Sequence, residues 1–158
     1  MGKLNELDGK TGEIRERGDQ IIDTGDQKLE EAQDFKNALD ALDLFDEDAK
    51  EIADTATEGA QEVASEQAEE AIRDPMEGVS EGLTEVSDEA TEYADTEHSN
   101  AEGISAGSGD YSSVASQAES NYEQHAEQFE ETSDAAQETN DQFKEQSERQ
   151  ASQLESLF

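Results

Sequence analysis

The sequence predicts an all-α protein, an elongated helical hairpin or bundle with coiled-coil-like seams. Apolar residues recur at alternating steps of three and four, the spacing of one helix face. No segment alternates apolar and polar residues with the period of two that a half-buried strand needs. Where the spacing breaks, the residues are those that start or stop helices.

Residues 1–73 form the expected N-terminal helical arm. Its seam runs through Leu4, Leu7, Ile14, Ile21, Ala32, Phe35, Leu39 and Leu42, then Ala49, Ala53, Ala56, Ala60 and Val63. Thr11, Gly18, Gly25 and Lys28 stand at seam positions that lack an apolar residue. Thr24-Gly25-Asp26-Gln27 has the form of a capping box, which places a kink or restart at 24–25. The same stretch holds a short repeat. Arg17 to Asp23 is echoed seven residues later by Thr24 to Glu30, with glycine second in each copy. Glycine costs a helix about 1 kcal/mol relative to alanine. Its return at one heptad position fits either close approach of another helix or two loops between short helices.

The middle helix is expected over 74–102. Asp74 is a good N-cap, Pro75 is preferred at the first helical position, and Glu77 completes the box. The arm should therefore end near Arg73. Val79, Leu83, Val86, Ala90 and Tyr93 supply the seam. Three glycines between 103 and 109 predict a Gly-rich loop over 103–110, after which Asp110 caps a C-terminal helix over 111–158. Tyr111, Ala115, Ala118, Tyr122, His125, Phe129, Ala136, Phe143, Leu154 and Leu157 mark its seam.

Large apolar residues fall in two zones. Phe35, Leu39, Leu42 and Phe45 form one; Tyr122 and Phe129, with Phe143 behind, form the other. In an antiparallel arrangement the two zones would face each other around one core. These residues, with Leu154, Leu157 and Phe158 at the C-terminus, are the expected core or contact residues. The long alanine stretches bury little surface, at roughly 25 cal/mol per Å2 of apolar area. A bundle so thinly filled is expected to associate with itself or with a larger complex.

The charge explains why the core matters. The 158 residues hold 44 Asp and Glu against 10 Lys and Arg, a net charge of −34, with 31% hydrophobic residues. Low hydrophobicity with high net charge disfavours folding of an isolated chain in dilute buffer. From Asp74 to Phe143 there is no Lys or Arg at all. This even acidity, with Lys scarce and Ala, Thr, Ser, Gly and Gln filling the rest, resembles the composition of proteins from salt-in halophiles, chiefly haloarchaea. The resemblance covers the whole chain and implies folding in high salt, where the Debye length shrinks to ~3 Å at 1 M.

Most chemistry is disfavoured by what the sequence lacks. Without cysteine there is no disulfide, thiolate nucleophile or Cys-based metal site. The densest acidic string, Asp43 to Asp48, lacks the glycine and terminal glutamate of a calcium loop. Neither histidine follows a Glu-x-x-His pattern, since Asp95 precedes His98 and Tyr122 precedes His125 by three residues. His125 lies on the apolar stripe and reads as a seam residue; His98 reads as a surface residue near a helix end. Ser112 and Ser113 have no basic partner in reach, and no phosphate-binding glycine loop is present. Arg17-Gly18-Asp19 matches an adhesion tripeptide, a match too short to carry weight. No enzyme activity and no cofactor are expected. Direct nucleic-acid binding is disfavoured because phosphate affinity comes from Lys and Arg, although mimicry of DNA would suit the charge.

No apolar run reaches 18 residues and no signal-peptide core is visible, so no membrane insertion is expected. The expected location is the cytoplasm or a particle. Ala-, Glu-, Gln- and Ser-rich text such as Ser133-Asp134-Ala135-Ala136-Gln137-Glu138-Thr139-Asn140 looks like coiled-coil segments of haloarchaeal transducers. The small-residue hairpin also looks like helical virion or tail components and small helical substrates of specialised secretion systems. The latter carry a Trp-x-Gly turn, and this chain has no Trp. These resemblances imply a non-enzymatic structural or assembly protein of a halophile or its virus. The alternatives are an acidic binding protein (DNA mimic, antagonist or chaperone) and a secretion substrate.

Overall fold

The computed structural model describes residues 2–42, 47–105 and 109–158. Helix α1 spans Gly2–Leu42 and α2 spans Glu47–Gln67. A π-helical turn, Ala68–Arg73, leads directly into α3, Asp74–Ser105. A 3-10 turn at Gly109–Tyr111 precedes α4, Ser112–Ser156. No strand occurs among the described residues. The all-α helical bundle is therefore the architecture.

The chain packs as two compact units: Met1–Arg15 with Glu81–Asn140, and Glu16–Ser80 with Asp141–Phe158. The first unit buries Leu7 of α1, Leu83, Val86, Ala90 and Ala94 of α3, and Ala126, Phe129 and Ala136 of α4. Tyr93 stacks on Phe129 at a centroid distance of 5.3 Å. Here α3 runs antiparallel to α4, pairing Ser87 with Ser133 and Thr84 with Asn140. The second unit centres on Ala64, Ala68, Ile72, Ala151 and Leu154, with Leu29, Ala32, Leu157 and Phe158 against them. Here α1 runs parallel to α4: Gly18 meets Phe143, Gly25 meets Gln150 and Phe35 meets Phe158.

Three expectations about helix limits change. First, α1 does not restart at 24–25. The Thr24 hydroxyl donates to the Gln20 carbonyl at 2.9 Å within a continuous helix, so it is not a cap. Gly18 and Gly25 are close-approach glycines, not loop glycines.

Second, the helix does not stop at Arg73. Buried positions Ala60, Ala64, Ala68, Ile72 and Met76 advance in steps of four. At 100° per residue each such step drifts about 40° around an α-helix. The wider π-turn takes up part of that drift and keeps the apolar face inward. It also accommodates Pro75, which has no N–H to donate. The Asp74 N–H reaches the Glu69 carbonyl five residues back. The buried face accordingly leaves Ala60 through Ala64, and Val63 is 56% exposed.

Third, α3 continues through Gly103 to Ser105, beyond the expected start of the loop. Gly109, at φ +75°, supplies the left-handed residue before α4.

The second large-residue zone is divided between the units, since Phe143 belongs with Phe35 to the second and Phe129 to the first. Phe35 belongs to the second unit and packs on Phe158; Phe129 belongs to the first and packs on Tyr93. Phe45 lies outside the described residues.

Candidate interaction surface

The second unit leaves an open apolar groove of about 580 Å3 between α1 and α2. Its cause is local. On α1 the walls are Ala32 and Phe35; on α2 the facing residues are Ala56, Gly59, Ala60 and Val63. Residues this small cannot fill the space that leucines would fill at ordinary packing density. Leu154 and Phe158 close the groove from α4 and the C-terminus. The Phe35 and Phe158 rings lie 6.4 Å apart, tilted by 59°. Lys28 and Glu31, an ion pair at 3.8 Å, also line it.

Apolar exposure concentrates on the same two helices. Phe35 is 46% exposed, Leu42 39%, Ile52 66% and Val63 56%. Among the described residues, the other exposed large apolar residues are Tyr111 and Val114, which precede and open α4 in the first unit. On a chain with this charge, apolar residues left in water are the informative ones.

The expected contact residues therefore separate into two kinds. Leu39, Phe129, Phe143 and Leu154 are buried within the chain. Tyr122, Leu157 and Phe158 are half-buried, and Phe35 and Leu42 are exposed. Phe35, Leu154 and Phe158 come together in the groove.

Polar residues also serve as core, which an apolar count overlooks. Ser133, Asn140, Ser147 and Gln150 are buried on α4. With Ala126, Phe129, Ala136, Phe143 and Leu154 they complete an unbroken three-four spacing. Ser133 contacts the Ser87 and Thr91 hydroxyls at 2.9 and 3.0 Å, and Gln137 Nε2 donates to Ser87 at 2.8 Å. Gln150 Nε2 donates to the Ile22 carbonyl and to Asp26 Oδ1, both at 2.8 Å.

Arg73 and His98 each contact two acids of α4. Arg73, at the end of the π-turn, donates through Nε and a terminal nitrogen to Glu148 at 3.0 and 2.9 Å. It also pairs with Glu155 and Glu69. The Glu148 contact holds the guanidinium even further above its ordinary range, and Arg73 holds the Glu148 carboxyl below its own. His98 lies between Glu123, 2.9 Å from Nδ1, and Glu130, 2.8 Å from Nε2. Sequence spacing hid this pairing, because both acids lie on another helix. The contact with Glu130 is the main cause that raises the His98 pKa.

Among the described residues, no group of three or more His, Asp or Glu is arranged to hold a metal ion. No described helix is long and apolar enough to cross a membrane. Compared with protein-family models, with curated proteins and with solved structures, the chain matches none.

Proposed function

We propose that this chain is a non-enzymatic assembly protein of a halophile or its virus. It would serve as a structural component of a particle or envelope-associated complex and build it by helix–helix self-association. The observation that carries this reading is the apolar groove of the second unit, which leaves Phe35 and Val63 in water on a chain of net charge −34. A second copy that covers the groove brings its own acids close. Self-association therefore requires salt strong enough to shorten the range of repulsion to a few ångströms. The even spread of acids along every helix supports solvent adaptation as their role.

Light scattering in molar KCl and in low salt tests the reading. The expected result is an oligomer in molar KCl that dissociates when Phe35→Ser and Val63→Ser are combined, with helicity retained. A compact folded monomer in both conditions overturns it.

A further inference from the structure

Both histidines of this chain lie between α3 and α4 in the first unit, in opposite senses. His98 projects from α3 to Glu123 and Glu130 of α4; His125 projects from α4 toward Glu97 of α3, Nδ1 to Oε2 3.9 Å. Only His98 has a carboxylate oxygen at hydrogen-bond distance from each ring nitrogen. A neutral imidazole has one N–H and one lone pair. With two carboxylates as partners, which only accept, one contact in the neutral form would set a lone pair against an anion. Both contacts are satisfied only by the imidazolium.

We propose that His98 is a proton-operated clasp that ties the C-terminal part of α3 to α4. Protonated, it joins Glu123 and Glu130, which lie seven residues apart on one stripe of α4. Losing one proton frees one carboxylate and leaves the acids of both helices to repel.

The surrounding charges favour the closed, protonated state. From α4 the acids are Glu123 and Glu130, with Glu127 between them on the same stripe. On α3 itself, Asp95 and Glu102 lie about one turn to either side, and Glu97 is adjacent. From α1, Lys3 and Glu6 pair with each other at 3.3 Å, and Lys3 lies 5.9 Å from the centre of the Tyr93 ring. No Lys or Arg of α3 or α4 in this unit competes, because that stretch of sequence has none. High salt leaves the clasp working: its contacts, at 2.8 and 2.9 Å, fall within the ~3 Å screening length of 1 M salt.

The sign follows from the raised native pKa. The added stability is fully present below the ordinary histidine value of 6.5 and is lost as pH rises through the higher native value. It is independent of the groove, which belongs to the other unit.

The test is proton NMR of the two histidines in molar KCl, with amide-exchange protection of residues 94–105 followed from pH 5 to 9. Protection is compared with intrinsic exchange at each pH. The expected results are a His98 midpoint above 6.5 and a protection loss of about two- to fivefold across it. His98→Gln should abolish that loss, and His98→Lys, which stays charged, should hold protection flat. Glu130→Gln keeps an acceptor but removes its charge, so it should lower the His98 midpoint even if His98→Gln fails to fold. A His98 midpoint at or below 6.5, or one unmoved by Glu130→Gln, overturns the proposal.

Discussion

The Phe143 ring lies directly over Gly18, with three ring carbons 2.5, 2.6 and 2.9 Å from where a Cβ would stand. Seven residues on, Gln150 occupies the same position over Gly25. The heptad repeat of α1 is thus matched by a heptad on α4, with the two helices parallel in this unit. Gly18→Ala should gain about 1 kcal/mol of helix propensity but lose about 1–3 kcal/mol to overpacking. The expected net effect is a destabilisation of about 1 kcal/mol. Gly12→Ala is the control, since nothing lies within 4 Å of its added Cβ. It should stabilise by up to about 1 kcal/mol. Urea melts in molar KCl distinguish them; equal gains for both would mean that Phe143 does not occupy this position.

Arg73 ties three carboxylates to the end of the π-turn, so Arg73→Met should destabilise by about 1 kcal/mol. The pH dependence has a definite sign. Glu148 has a folded pKa below its ordinary value of 4.5 because Arg73 hydrogen-bonds its charged form. Its contribution is present above pH 4.5 and is lost as pH falls through the lower native value. Stability of the Arg73→Met protein should fall less between neutral pH and that acid range. Thermal melts across the range measure this; an unchanged acid limb would show that the pair carries no linkage.

Ser87 and Ser133 form the centre of a buried hydroxyl layer between α3 and α4. Ser133→Ala leaves Ser87 and Thr91 short of one partner and should cost about 1 kcal/mol. Replacing both serines with alanine should cost less than the sum of the single changes. A coupling of about 0.5–1 kcal/mol is expected from a double-mutant cycle. Strict additivity would show that the two hydroxyls do not act as a pair.

Helicity should depend on salt more steeply than in a neutral bundle. Net charge −34 opposes compaction, and the alanine-rich seams offer little area against it. Ellipticity at 222 nm should fall on dilution from molar KCl into dilute buffer and return when salt is restored. Full helicity in dilute buffer would remove salt from the account of folding.

Much of the bundle was legible because a three-four apolar spacing depends on one helix alone. Leu7, Leu39, Leu83, Val86, Phe129 and Leu154 could be assigned to an inner face from their neighbours in sequence, and all are buried. The polar members of the same seam were not legible. Ser133, Asn140, Ser147 and Gln150 look like surface residues until Ser87, Thr84 or Ile22 is brought to them. The groove was hidden for a related reason. Phe35 was recognisable as a contact residue, but whether Ala56 and Ala60 leave space beside it depends on what stands opposite.

The sequence by itself determined the helical class, the acidic surface and most of the inward faces, because periodicity and charge are properties of the chain alone. Tertiary structure decided how Gly18 and Gly25 are used, whether the helix stops at Asp74-Pro75, and which acids His98 and Arg73 hold. Each depends on residues far away in sequence. A glycine becomes a contact only when Phe143 arrives, and a helix runs on into Pro75 through a π-turn when Ile72 and Met76 must both face inward.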